Sequence, residues 1–398
     1  MPVDYHKSSN EATHWGFVLA GFACLVSSAY YDIIRGPLLP VIDDELQLEF
    51  TGSGWFFAAG NFGAALTTIL LIWALNRWSE RRVSITTAVL AAVVGCLALA
   101  VTDVAVLMIF AVGIGVSTSL LGTMSNVLVL EGAPPAHKSR FLSALHSMYG
   151  LGSASAAGIV GWALGSGWHW SRLFMLAIPV FVVVLIFAVW RMPGRGARIS
   201  APQPAGLSRL QMLAVWVFSL YVVGEVTTSF WMTTYLVRIR GMDVSDASYV
   251  LTAYFAVLMV ARIITSFTVT PAREPLVLIV ALSLPVVTLT LGLLGWTWGF
   301  VLTGLFGPFF PVYLARLSRK FPENWRSLLV WTISVMSLLI GVANLTLSRL
   351  ADWLGLQSAF WLPPALLGAA TVSLLIYLHP ERQLPAKTLA RNGNLPPE

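Results

Sequence analysis

The chain has 398 residues, 57% of them hydrophobic and 11% charged, and its mean hydropathy is +0.78. Soluble domains carry roughly 25% charged residues, so a chain this long and this poor in charge is solvated mostly by lipid. A single soluble domain, a disordered chain and a secreted disulfide scaffold are excluded.

A helix needs about 20 mostly apolar residues to cross roughly 30 Å of hydrocarbon. Runs of that kind predict spans at about 15–40, 52–75, 83–102, 105–130, 140–165 and 171–191. A second set follows at about 209–236, 246–270, 276–295, 297–316, 326–351 and 357–378. Twelve spans are therefore expected. The first run is too long for a signal peptide and lacks a small-residue cleavage site, so it is expected to stay in the mature protein. Cys24 and Cys96 lie in apolar runs without metal or redox spacing and read as small hydrophobes.

Between the sixth and seventh runs lies the polar segment RMPGRGARISAPQPAGLSR at 191–209. Its Pro, Gly and Arg content makes it a poor helix and a natural linker. The expected organisation is a cytoplasmic N-terminal tail over 1–14, a six-helix bundle over 15–191 and a cytoplasmic linker over 192–208. A second six-helix bundle over 209–378 and a cytoplasmic C-terminal tail over 379–398 complete it.

The net charge is +6, with an isoelectric point near 9.5. With the N-terminus placed in the cytoplasm, eighteen of the 24 Lys and Arg residues fall in cytoplasmic segments, four outside and two within spans. Basic residues are retained on the cytoplasmic side, so both termini are expected there, in the inner membrane. The basic charge then reports orientation, and no nucleic-acid partner is needed to explain it. Internal registers between the halves are weak: an offset of 193 places Asp32 on Glu225, and one of 186 places Arg140 on Arg326 and Gly158 on Asn344.

An ionisable group near the bilayer centre costs about 2.5–3.5 kcal/mol on insertion scales, so it faces a partner or a water-filled cavity. Four side chains fall in this class: Asp32, Arg35, Glu225 and Arg262. Asp32 and Arg35 are three residues apart on nearly one helix face. They read either as a self-neutralising structural pair or as a cavity acid tuned by Arg35, with Arg35 itself a possible carboxylate anchor. Glu225 has no Lys or Arg within a helical turn, and is read as a proton-coupling or substrate group or as a hydrogen-bonded structural acid reached by Arg262. Arg262 is read as structural. Arg349 and Asp352, at i and i+3, are expected to form a surface pair.

Candidate cavity residues are Tyr31, Asn61, Asn126, His146, Tyr149, Trp231, Tyr254, Trp331 and Asn344, since amides, phenols and indoles at mid-membrane depth bind polar or ring-bearing solutes. Each is equally a candidate for helix–helix adhesion. Trp168, Trp170, Trp296 and Trp298 read as the interfacial belt. In the fifth run, Gly150, Gly158 and Gly161 make a face without bulk, along which a neighbouring helix can approach and slide.

Twelve spans split six and six, a basic linker and cytoplasmic termini resemble the major facilitator superfamily. That family carries a Gly-x-x-x-Asp-Arg-x-Gly-Arg-Arg-like loop after the second span. Here the stretch is IWALNRWSERR, in which Arg77, Arg81 and Arg82 match while Asn76 replaces the acid and Ser79 the glycine. The resemblance implies an all-α membrane fold of two six-helix bundles and a gating or structural role for the three arginines. The fifth run opens His146-x-x-Tyr149-Gly150-x-Gly152, which is similar to the fifth helix of fucose–proton symporter relatives. Those relatives also carry an acid in the first helix, matched by Asp32. Their second acid lies in the fourth helix, where this chain has Ser119, Gly122 and Asn126.

No phosphate loop, zinc signature or nucleophile motif occurs, which argues against an enzyme or an ATP-driven pump and implies no cofactor and no metal. The expectation is a monomeric secondary transporter in the lipid bilayer. It moves a small polar organic solute, sugar-like or an organic acid, by alternating access with protons as coupling partner. The alternatives are an exporter of amphipathic drugs or metabolites and, from another class, a non-transporting membrane sensor or assembly partner.

Overall fold

The computed structural model describes residues 13–134, 137–191 and 206–382. The expected N-terminal tail, linker and C-terminal tail lie almost wholly outside them. Among the described residues the chain is helical, with no strand. Hydrocarbon offers no hydrogen bonds, so each backbone N–H and C=O must find its partner within the segment.

The first half comprises α1 (Trp15–Ile33), α2 (Arg35–Leu46), α3 (Phe50–Arg77), α4 (Glu80–Leu97), α5 (Val104–Gly132), α6 (Lys138–Gly165), α7 (Trp170–Leu173) and α8 (Ile178–Arg191). The second comprises α9 (Arg209–Arg240), α10 (Val244–Thr268), α11 (Glu274–Leu293), α12 (Trp298–Leu302), α13 (Phe309–Lys320), α14 (Trp325–Leu354), α15 (Leu356–Ala359) and α16 (Leu362–Arg382). Among the described residues, ten stretches are long and apolar enough to cross a membrane. In the two remaining places in chain order stand α3 and α6, of 28 residues each and about 42 Å long at 1.5 Å per residue. The architecture is that of two six-helix bundles, consistent with twelve spans.

The first and the tenth expected spans are broken for the same reason, a proline. Pro37 has no N–H for the Ile33 carbonyl and its ring crowds that carbonyl, so α1 ends at Ile33 and α2 resumes at Arg35. The first membrane segment therefore runs to Leu46, six residues beyond its expected end. Gly307 and Pro308 likewise separate α13 from α12 and its following 3-10 turn, Thr303–Phe306. The long α9 is instead continuous. A capping box of Ser208 and Gln211 starts it, and Gly241, at φ 67°, ends it in the left-handed conformation.

Within the first half α1 packs on α5 and α6, α3 on α5, and α4 on α8; within the second, α9 packs on α14 and α16, and α11 on α16. The halves meet along α6–α10, α3–α14 and α2–α9. The small-residue face of α6 lies against α10: a Cβ at Gly161 would stand 3.1 Å from the Ser245 carbonyl oxygen, and one at Gly150 would stand 3.0 Å from the Met259 Cβ. Ser245 Oγ donates to the Gly161 carbonyl at 2.6 Å.

The end of the molecule opposite the start of α1, here the distal end, is stitched across this boundary. The Asp352 carboxylate of α14 accepts from the backbone N–H groups of Phe50 (3.1 Å) and Thr51 (2.8 Å) and from Thr51 Oγ1 (2.5 Å). It thus neutralises the positive N-terminus of α3 from the other half. Arg238 of α9 pairs with Asp44 and donates to the Pro40 carbonyl at 3.3 Å. A shallow hollow above this seam is lined by Asp43, Leu48, Glu49, Phe50, Arg238 and Asp352.

Three expectations change here. Asp352 turns to α3 and not to Arg349, because unpaired helix N–H groups outcompete an exposed guanidinium. Trp170 is not an interfacial ring: it is 1% exposed and its indole N–H donates to Glu45 Oε2 at 2.6 Å. Buried charge is also not confined to the four interior residues. Asp43 lies within α2 and accepts from Ser53 Oγ at 2.7 Å, and Glu274 is buried against Arg316 and Arg319.

Candidate functional site

The break after Ile33 sets the geometry of the centre. Asp32 closes α1 and Arg35 opens α2, so the two side chains share one turn on either side of the discontinuity. They form an ion pair, and Arg35 Nε also donates to the Asp32 carbonyl at 3.1 Å. The Arg35 side chain is 2% exposed and that of Asp32 26%. Phe57 of α3 and Phe230 of α9 stack at 4.5 Å between ring centres, joining the two halves, and the guanidinium lies 5.8 Å and 4.9 Å from those centres. Tyr149 of α6 donates its phenol to Asp32 Oδ2 at 3.2 Å.

A second acid–arginine pair stands in the other half. Glu225, midway along α9, faces Arg262 of α10 at 3.7 Å, with both side chains nearly buried. That separation exceeds hydrogen-bond reach. Arg262 Nε donates to the Gly307 carbonyl at 3.0 Å, exposed by the same Gly-Pro break that separates α13, and its guanidinium lies 5.5 Å from the Phe310 ring centre. Tyr149 is within electrostatic reach of Asp32, Glu225 and Arg262, so its phenol lies near members of both pairs. Tyr254 lies near Glu225, Tyr221 and Arg262 with its hydroxyl buried and unpaired. His146 packs on Phe310 at 5.6 Å.

The structure thus brings Asp32, Arg35, His146, Tyr149, Glu225, Tyr254 and Arg262 together. Trp231 and Asn344 meet nearby, indole N–H to amide oxygen at 2.8 Å, beside the Phe57 ring. Asn61 and Asn126 are half-buried, and each donates back to a carbonyl of its own helix, Phe57 at 2.9 Å and Gly122 at 2.8 Å. Tyr31 is a correction to the cavity set. Its hydroxyl bonds the carbonyls of Ala91 and Phe174 and its ring packs on Phe174 and Phe181, so it faces the interior of the first half. Trp331 is 42% exposed, and the thirteen residues separating it from Asn344 along α14 amount to about 20 Å, which removes it from the cluster.

Arg77, Arg81 and Arg82 lie around the α3–α4 turn, at the end of the molecule where α1 starts. Ser79, standing in place of the family glycine, caps α4 by accepting from the Arg82 N–H. Three participants were missed from sequence: Tyr221, beside Glu225 and Arg262, and the rings Phe57 and Phe230. Tyr221 stands four residues before Glu225, one helical turn away, a signal that was available; the stacked rings left none in an apolar run.

The sequence matches the Major Facilitator Superfamily over residues 17–342. Among curated relatives it is 23% identical over 190 residues to the "Multidrug export protein EmrB" of Escherichia coli (strain K12), covering 48% of this chain and 37% of that protein. It is 21% identical over 268 residues to a "Probable sugar efflux transporter" of Mannheimia succiniciproducens, covering 65% of this chain and 66% of that protein. The chain thus aligns with less than two thirds of the length of either. In fold it is similar to a D-xylose–proton symporter, with a TM-score of 0.74, 16% identity and coverage of 90% of this chain and 97% of that one. Family match and two-bundle architecture agree: the chain belongs to the major facilitator superfamily and is a multi-pass membrane protein.

Proposed function

We propose that this transporter moves a small polar organic solute across the inner membrane by alternating access, coupled to protons, with Asp32 contacting the solute and Glu225 exchanging the proton. The observation that carries the proposal is the pair of acid–arginine contacts, one in each half, with Tyr149 bonded to Asp32 and within electrostatic reach of Glu225 and Arg262. An acid inside a membrane bundle is costly, and two such acids placed at the boundary of two bundles are suited to sense the movement of one against the other.

The arginine and lysine distribution favours cytoplasmic termini. On that orientation the stitched distal end faces away from the cytoplasm, and the conformer is closed on that side. We assign the bundles to 15–191 and 209–378, with 192–208 as linker, and take the functional unit to be a monomer. The names of the relatives supply cargo classes, drugs for one and sugars for another, and favour export as the second reading.

The test is uptake of labelled sugars, amines and organic acids by proteoliposomes, with and without an imposed pH gradient. Gradient-dependent accumulation of at least one solute is expected. Absence of both accumulation and exchange for every solute would leave the sensor reading in its place. Loss of preloaded solute against its gradient, without uptake, would establish export.

A further inference from the structure

We infer that the solute presents hydrogen-bond donors, hydroxyl or ammonium, to the Asp32 carboxylate and carries no carboxylate of its own. The inference rests on the transporter reading above and concerns the same site.

The charged groups at the centre are not equally open. Asp32 keeps 26% of its side-chain surface, whereas Arg35 keeps 2%. Arg35 Nε and Nη2 are spent on the carbonyl and carboxylate of Asp32 itself. Its remaining nitrogen, Nη1, is buried without a partner and faces the bare backbone of Gly60, where a Cβ would collide with it. The stacked rings of Phe57 and Phe230 flank the guanidinium. An incoming carboxylate has no access to Arg35 unless that stack, which joins the two bundles, first parts. Arg262 is also committed: Nε to the Gly307 carbonyl, Nη2 toward Glu225, with the Phe310 ring alongside.

The acid side is open in the complementary sense. Asp32 Oδ1 takes Arg35, while Oδ2 receives only the Tyr149 phenol at 3.2 Å. A carboxylate oxygen offers about two acceptor sites, so Oδ2 retains capacity for a further donor. A solute carboxylate placed there would meet the Asp32 carboxylate at close range in a poorly solvated setting, where like charges repel strongly. A hydroxyl gains a charge-assisted hydrogen bond and an ammonium gains both the bond and the charge.

The test is thermal unfolding of the purified full chain with sets of solutes matched in skeleton: glucitol, glucamine and gluconate; phenethyl alcohol, phenethylamine and phenylacetate. The neutral or ammonium member of at least one set is expected to raise Tm, and no carboxylate member to do so. In Asp32→Asn the ammonium member weakens about tenfold or more, and a neutral polyol less, because the amide oxygen still accepts; this separates the two donor sources. If that variant does not fold, the ranking in the intact chain decides alone. Stabilisation by gluconate or phenylacetate, or by no neutral or ammonium member, overturns the inference. Gluconate uptake by proteoliposomes would overturn it while leaving the transporter reading intact, whereas failure of every solute to move would remove that reading.

Discussion

The two acid–arginine pairs are alike in composition and opposite in construction. Asp32 and Arg35 lie three residues apart astride a helix break, so the local backbone fixes their contact and any rigid movement of the bundle carries both together. Glu225 and Arg262 come from different helices, α9 and α10, and stand 3.7 Å apart without a hydrogen bond. A shift of a few tenths of an ångström between those helices alters their interaction, since Coulomb energy in a poorly solvated site changes steeply with distance. The first pair is built to hold one arrangement and present its acid; the second is built to respond.

The difference makes the arginines unequal. Arg35→Met leaves Asp32 without its counter-charge inside the bundle and should cost about 3–5 kcal/mol of stability. Arg262→Met also strands an acid, but one held at 3.7 Å without a hydrogen bond to the guanidinium, and removes the bond to the Gly307 carbonyl; the cost should be smaller, about 1–3 kcal/mol. Denaturant unfolding in detergent measures both, and equal losses would dissolve the distinction between a fixed and a responsive pair.

A smaller effect separates solute contact from structure. Tyr149→Phe removes one hydrogen bond to Asp32 Oδ2, worth about 1 kcal/mol. Solute affinity should fall about fivefold with Tm nearly unchanged. A large fall in Tm with unaltered affinity would mark the phenol as a brace for the first pair. The smallest effect is expected at the distal seam, where exposed polar bonds hold the halves together without touching either pair. Asp352→Asn keeps an acceptor for the α3 N-terminus but loses the charge, and should shift the balance toward distal opening by about 0.5–1 kcal/mol. Thiol-modification rates at a cysteine replacing Leu48 would report a two- to fivefold rise; no change would show that the rings of Phe57 and Phe230 close that end by themselves.

The sequence exposed the two pairs for a simple physical reason. Charge is so expensive in an apolar run that Asp32, Arg35, Glu225 and Arg262 stand out without any structure. Helix positions were legible on the same principle, and the breaks at Pro37 and Pro308 were written in residues whose effect on a helix is known. What was not legible is direction. Tyr31 precedes Asp32 by one residue, yet a step of 100° around the helix turns it into its own bundle. The stack of Phe57 on Phe230 depends on how two bundles meet, and no residue type marks it in a chain with 21 phenylalanines. Asp352 resembled a partner for the nearby Arg349 until folding brought the start of α3, some three hundred residues away in sequence, within its reach.

The division of labour between the pairs is tested most directly in proteoliposomes, by comparing gradient-driven accumulation with equilibrium counterflow for the solute that most stabilises the protein. Glu225→Gln should lose accumulation and keep counterflow, because it removes the proton exchange and leaves the solute contact. Asp32→Asn should lose both. Undiminished accumulation by Glu225→Gln, or undiminished counterflow by Asp32→Asn, would contradict the account.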